Sequence, residues 1–350
     1  MIFSRFVLSF GLFIAAFFGA ILAYKIGLPM PFMMGSLIST ATIITIFPKI
    51  FPDKYAFAPR LRTVVLTIIG VAIGSQITPE IVTRAPEIAI SLLGVVLFVP
   101  IAHFVNYMIL RRLAGYPRYD ALFAGAPGGF IESITLAEEY GADVKRVGIQ
   151  HFLRVVFVIF LVPLILTLYL GNPVGVARAD VFVIDMVPPV QIALIANVAL
   201  FGFLIARALK IPAGMLIGPL IIAAIISGFN GPSLDVPTWV VAFGQIIVGT
   251  SLGIRFQGLK GKLLLKSAWW CLVTVSATLV LSATFSQILY GIGGQSFETL
   301  LISFAPGGLT EMGLIALSLS ANSAVVVFHH LVRIIMTVMQ LTLFIRFRGN

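Results

Sequence analysis

Long apolar runs alternate with short polar breaks along the whole chain. Runs of roughly 18 to 25 apolar residues are what an α-helix needs to cross a bilayer. The pattern predicts helices near 6–24, 30–47, 61–78, 86–111 and 147–170, then near 192–208, 213–229, 238–255, 268–290 and 325–346. The breaks carry turn chemistry: Gly27-Leu28-Pro29, the stretch from Pro48 to Pro59, Thr78-Pro79 and Asn230-Gly231-Pro232. Residues 171–190, with Gly171-Asn172-Pro173 and Pro188-Pro189, read as a linker between a first repeat over 1–170 and a second over 191–350. Two apolar stretches, 119–140 and 298–320, are interrupted in the middle and leave the number of crossings open.

The interruption occurs twice. Ala126-Pro127-Gly128-Gly129-Phe130-Ile131-Glu132 returns as Ala305-Pro306-Gly307-Gly308-Leu309-Thr310-Glu311, a shift of 179 positions. The match runs on without a gap, so that His151 and Arg154 fall on His330 and Arg333. Gly70-x-x-x-Gly74 likewise returns as Gly249-x-x-x-Gly253. At a slightly different offset, Phe18-Gly19, Leu28-Pro29 and Gly35 align with Phe201-Gly202, Ile211-Pro212 and Gly218. That alignment argues against reading 6–23 as a cleaved signal peptide, because its counterpart lies mid-chain. It is expected to be a retained first helix.

Composition agrees with a polytopic, all-α membrane protein. The chain is 59% hydrophobic and 10% charged, where a soluble domain carries about 25% charge. The net charge of +10 suggests nucleic acid only until the basic residues are located. They sit in short clusters between apolar runs, the pattern of the positive-inside rule, and no nucleic-acid partner is expected. The lone Cys271 excludes an internal disulfide and offers no metal cluster.

Loop charge also decides topology. Five crossings per half, with each interrupted segment re-entrant, invert the second half relative to the first. With the N-terminus inside, nearly all the loop cations then share one side: Lys49, Lys54, Arg60, Arg62, Arg111, Arg112, Arg118, Lys145 and Arg146 with Arg207, Lys210, Arg255, Lys260, Lys262 and Lys266. Lys25, Arg84 and Arg178 are left outside. Six crossings per half would put Arg255 to Lys266 opposite Lys49 to Arg62. The expected architecture is therefore two inverted repeats, about ten transmembrane helices plus two re-entrant or broken Pro-Gly-Gly segments. Both termini are expected in the cytoplasm of a bacterial-type inner membrane, with the lipid bilayer as the partner.

The candidate site residues are Pro127, Gly128, Gly129, Glu132, His151, Arg154, Pro306, Gly307, Gly308, Glu311, His330 and Arg333. Proline removes an N–H and glycine permits unusual dihedrals, so irregular backbone is expected at each break. At membrane depth such backbone survives only when buried in protein or lining a watery cavity. A half-helix starting at the glycines would aim its N–H groups at that cavity, or the freed carbonyls would hold a small cation. The plainer alternative is a packing kink. Glu132 and Glu311 cost about 2.5 kcal/mol or more in the bilayer unless paired or wet. They read as ligands or proton carriers, or else as halves of fixed ion pairs. His151 with Arg154, and His330 with Arg333, share a helix face by i,i+3 spacing. Arginine suits holding an anion or neutralising the glutamates, and histidine suits proton exchange. Both glutamates are expected to face these residues, with the two break tips meeting. His103 and His329 are read as packing or polar-contact residues, and the Gly-x-x-x-Gly pairs as helix packing. No nucleotide-binding, hydrolase or zinc-protease motif is present.

The duplicated Ala-Pro-Gly-Gly-x-x-Glu with its downstream His-x-x-Arg resembles the AbrB membrane duplication family, over about 10–170 and 192–346. The resemblance implies labels such as ammonia monooxygenase or membrane regulator of gene expression. The residues themselves favour a secondary transporter of a small solute, with a proton or cation as a coupling ion. A sensor without transport is the second reading. Four histidines, with the aligned pair split between halves, make poor copper or iron ligands, so no enzyme activity, cofactor or metal is expected.

Overall fold

The protein is described here by a computed structural model covering residues 2–52, 55–83, 85–171, 174, 187–211, 213–259, 261–292, 294–319 and 321–346. Fifteen α-helices are described: α1 Ile2–Lys25, α2 Pro31–Ile46, α3 Pro59–Gly74, α4 Pro79–Thr83, α5 Ala85–Met108, α6 Arg118–Ala124, α7 Phe130–Glu139, α8 Val144–Leu170, α9 Pro189–Ala208, α10 Gly214–Gly228, α11 Thr238–Gly253, α12 Gly261–Leu289, α13 Phe297–Phe304, α14 Leu309–Ser318 and α15 Ser323–Arg346. The described residues form no strand. Most of the linker lies outside the described residues, as do Lys54, Arg84, Arg178 and Lys260.

Helix ends follow local chemistry. Proline opens α2, α3 and α9, where its missing N–H leaves no helical partner unsatisfied. Among the described residues, seven helical spans are long and apolar enough to cross a membrane: Val7–Lys25, Pro86–Leu113, Val144–Leu170, Pro189–Ala208, Thr238–Phe256, Leu264–Leu289 and Ser323–Phe344. Shorter apolar helices are Pro31–Ile46, Gly214–Gly228 and Leu309–Ser318. The interrupted stretches are helices broken in two, α6 with α7 and α13 with α14.

The described residues divide into two compact units, one drawn from 1–83, 163–259 and 313–324, the other from 84–162, 260–312 and 325–350. Each unit takes a segment from both sequence halves. The first cut falls after residue 83, and 83 + 179 = 262, close to the observed cut after 259.

In the first unit the helices approach backbone to backbone at glycine. A Cβ on Gly35 would lie 2.3 Å from the Gly19 carbonyl oxygen, and one on Gly218 2.1 Å from that of Gly202. The two Gly-x-x-x-Gly pairs face the opposite half: Gly70 and Gly74 meet α10 at Leu216 and Leu220, while Gly249 and Gly253 meet α2 at Met33 and Leu37. Such backbone-to-backbone approach at small residues is the packing that membrane-spanning helices use, because lipid leaves them little hydrophobic drive to associate. The second unit packs α5 against α12 and α13 through Phe98, Phe285 and Phe304, with Phe98–Phe304 ring centroids 5.2 Å apart. All twelve candidate residues belong to this unit.

Candidate functional site

α6 stops at Ala124 because Pro127 cannot continue the hydrogen-bond ladder, and Gly129 takes φ +58° to start α7. The chain then turns back. Asp120, His151's partner Phe123, and Ala126 contact α8 at progressively later residues, whereas past the break Phe130 meets His151 and Ile134 meets Gly148. Tyr119 before the break and Tyr140 after it lie with ring centroids 6.0 Å apart. Helices α6 and α7 are therefore the arms of a hairpin with Pro-Gly-Gly at its tip, and residues 121–129 are buried.

At the open end of that hairpin, Arg146 pairs with the buried Asp120, pairs with Asp143 at 3.6 Å, and lies over the Tyr116 ring at 5.2 Å. Burial pushes the Tyr116 phenol up from its ordinary pKa.

The break leaves carbonyls of α6 without helical partners, and side chains take them up. His103 Nε2 donates to Leu122 O at 2.8 Å, His151 Nε2 to Phe123 O at 2.9 Å and Asn106 Nδ2 to Gly125 O at 3.2 Å. Arg154 donates to Ala126 O. Two of these bonds recur 179 residues on, His330 Nε2 donating to Ile302 O at 3.0 Å and Arg333 to Ala305 O, while a different donor, Ser282 Oγ, reaches Phe304 O, the counterpart of Gly125 O, at 3.0 Å. Arg333 reaches one carbonyl further, to Gly307 O. Since a carbonyl only accepts, Nε2 carries the proton in His151 and His330, and their buried Nδ1 atoms have no partner among the described residues.

The two breaks come together on α15. A Cβ on Gly128 would lie 3.5 Å from the Arg333 carbonyl oxygen and 3.1 Å from Thr337 Oγ1. The helix that holds the second break by the Arg333 side chain thus carries the first break against its backbone. Arg154 and Arg333 lie within electrostatic reach of each other.

The glutamates are placed differently from the sequence expectation. Each is the third residue of its half-helix, folded back over the glycine before it, with Oε2 2.0 Å from a Cβ on Gly308 for Glu311 and 3.4 Å from one on Gly129 for Glu132. There the carboxylate faces the positive end of the helix dipole. Glu311 is buried and Glu132 half-buried. Neither forms an ion pair with Arg154 or Arg333, whose hydrogen bonds run to backbone carbonyls. Carbonyls at both breaks, offered by the sequence as one alternative site for a cation, accept hydrogen bonds from these donors. His329 bonds Ser91 at 2.9 Å, a polar contact as expected, while His103 caps the break as well as packing.

Sequence reasoning missed Asp120, Asn106, Gln150, Thr274, Thr278 and Ser282. The signal for three of them was legible: Thr274, Thr278, Ser282 and Ser286 recur every four residues on the apolar α12 and form one buried stripe. Thr278 donates to Asn106 Oδ1 at 3.0 Å. Along this stripe lies a polar cavity, big enough for about one water, lined by Arg154, Asn106, Gln150, Cys271, Thr274 and Thr278 among others. Among the described residues no three of His, Cys, Asp and Glu converge as metal donors.

The family description "Transition state regulatory protein AbrB" matches residues 40–349. The chain belongs to the AbrB family. Among its relatives, "Putative regulator AbrB" of Escherichia coli (strain K12) is 23% identical over 261 residues, 74% of this chain and 74% of that protein. "Uncharacterized protein YhjN" of Bacillus subtilis (strain 168) is 26% identical over 342 residues, covering 91% of this chain and 88% of that one.

Proposed function

We propose that this AbrB-family chain is a secondary transporter of a small solute in a bacterial-type inner membrane, its two halves inverted repeats with about ten crossings and two re-entrant hairpins. Transporter sites recur where discontinuous helices from inverted repeats meet near the bilayer midplane. The observation that carries the reading is the seating of Gly128 on α15 at Arg333, the residue whose side chain holds Ala305 and Gly307. The hairpin of α6 and α7 favours re-entrance over a sixth crossing, and the matched capping at offset 179 favours duplication. Pro127, Gly128, Gly129, Glu132, His151 and Arg154, with their six counterparts, form the site. Both termini are cytoplasmic, a proton or cation supplies the coupling, and no catalytic step or cofactor is assigned.

Uptake by proteoliposomes over a panel of organic anions and cations tests this. Glu132→Gln and Glu311→Gln are expected to lower uptake at least tenfold, and uptake unchanged in both sinks the assigned roles.

A second reading takes its support from the family description and from the name of the Escherichia coli relative: a membrane sensor acting on gene expression. A deletion strain separates the two. Restoration of its transcriptional phenotype by a flux-dead variant favours sensing, and failure of that variant to restore it favours transport.

A further inference from the structure

We propose that the cavity beside Arg154 binds a single small anionic group, a halide or the carboxylate of an organic acid, and that the solute handled by this chain is therefore an anion. The inference rests on the transport reading for the second clause only.

Arg154 is the one formally charged residue lining the cavity. It is 8% exposed and has no carboxylate partner among the described residues. Its guanidinium offers five N–H groups, of which the contact to Ala126 O is one, and its buried Nε has no partner in the structure. Arg333 differs in spending two contacts on backbone, at Ala305 and Gly307. It acts as a fixed clamp, whereas Arg154 keeps donors in reserve. The rest of the wall is uncharged: Thr274 Oγ1 donates to Cys271 O at 3.0 Å, the Gln150 amide donates to Ser267 O and accepts from Cys271 N, and the Asn106 amide oxygen accepts from Thr278, so none of these groups supplies a counter-charge to Arg154. A buried arginine without a counter-ion, with a second arginine in electrostatic reach, makes an uncompensated positive centre that a small anion neutralises. The cavity is about one water in size, so it admits a single anion atom, a halide or one carboxylate oxygen, in place of that water, with the rest of an organic acid lying outside it.

Cys271 lines the same cavity and is the chain's single cysteine, which supplies a native reporter. Purified full-length protein in a buffer whose anions are bulky sulfonates is treated with methyl methanethiosulfonate. Adduct formation is followed by mass spectrometry, and thermal unfolding is recorded in parallel. Chloride or acetate is expected to slow modification at least threefold and to raise Tm by a few degrees, and Arg154→Gln abolishes both effects. Protection by chloride alone identifies a halide site, and protection by acetate alone a carboxylate site. The same rate and Tm in every anion overturn the proposal, leaving a cavity that holds water. Protection without uptake of the protecting anion by proteoliposomes keeps the binding site and removes the transport reading. Uptake without protection does the reverse.

Discussion

Arg333 donates to the carbonyl oxygen of Ala305, the residue immediately before the second proline. The equivalent bond joins Arg154 to Ala126, and a histidine three residues earlier on each helix caps the turn below. The His-x-x-Arg pair thus has a structural role before any other: it donates to buried carbonyls at each Pro-Gly-Gly break.

Arg333→Ala leaves the buried Gly307 O without its donor and takes from Ala305 O the charged one of its two donors, the other being the Gly307 N–H. A hydrogen bond from a charged donor contributes about 1.5–3 kcal/mol, so a loss of about 3 kcal/mol or more is expected. Arg154→Ala gives up one such bond and is expected to cost about half as much. Unfolding in detergent, followed by intrinsic tryptophan fluorescence, measures both. Equal losses contradict the division into clamp and reserve.

At Gly308 a methyl group would fall 2.0 Å from Glu311 Oε2. The carboxylate is the end of a flexible chain and yields, so Gly308→Ala is expected to leave stability within about 1 kcal/mol. It should lower vesicle uptake as Glu311→Gln does. Gly129→Ala differs, because φ +58° costs a residue with a Cβ about 1–2 kcal/mol. Its effect should appear in Tm.

Helix packing in the first unit gives a prediction independent of function. Gly35→Ala and Gly218→Ala would drive Cβ into the backbone of Gly19 and Gly202, and overpacking costs about 1–3 kcal/mol. Gly11→Ala, with nothing within 4 Å, should be neutral or stabilising by up to about 1 kcal/mol. Thermal unfolding of the three variants side by side checks the contrast.

At the base of the first hairpin, Arg146→Gln leaves the Asp120 carboxylate, 4% exposed, without its cation. Stranding a buried charge costs about 3 kcal/mol. Asp120→Asn strands Arg146, which is 27% exposed and can turn to water, so about 1 kcal/mol is expected. Hydrogen exchange of residues 118–140 should rise more in Arg146→Gln.

Helix positions were legible in the chain because they depend on local properties: unbroken apolar length, and proline and glycine at the ends. The expected span 147–170 became Val144–Leu170, and 238–255 became Thr238–Gly253 with a short 3₁₀ extension to Phe256. The break at each Pro-Gly-Gly was legible for the same reason, and so was the repetition that singled out Arg154 and Arg333. What each side chain touches was not. Spacing alone paired arginine with glutamate, since opposite charges in a low-dielectric interior attract. Only the folded chain counts the carbonyls that a broken helix leaves unsatisfied, and those claimed the arginines first. Glu132 and Glu311 went instead to the positive ends of their own half-helices. The return of α7 alongside α8, the meeting of Gly128 with Arg333 and the hydroxyl stripe that brings Thr278 to Asn106 join residues up to 205 positions apart (333 − 128). Such contacts depend on which helix faces pack together, which the hydrophobic pattern of a helix apolar all round does not specify.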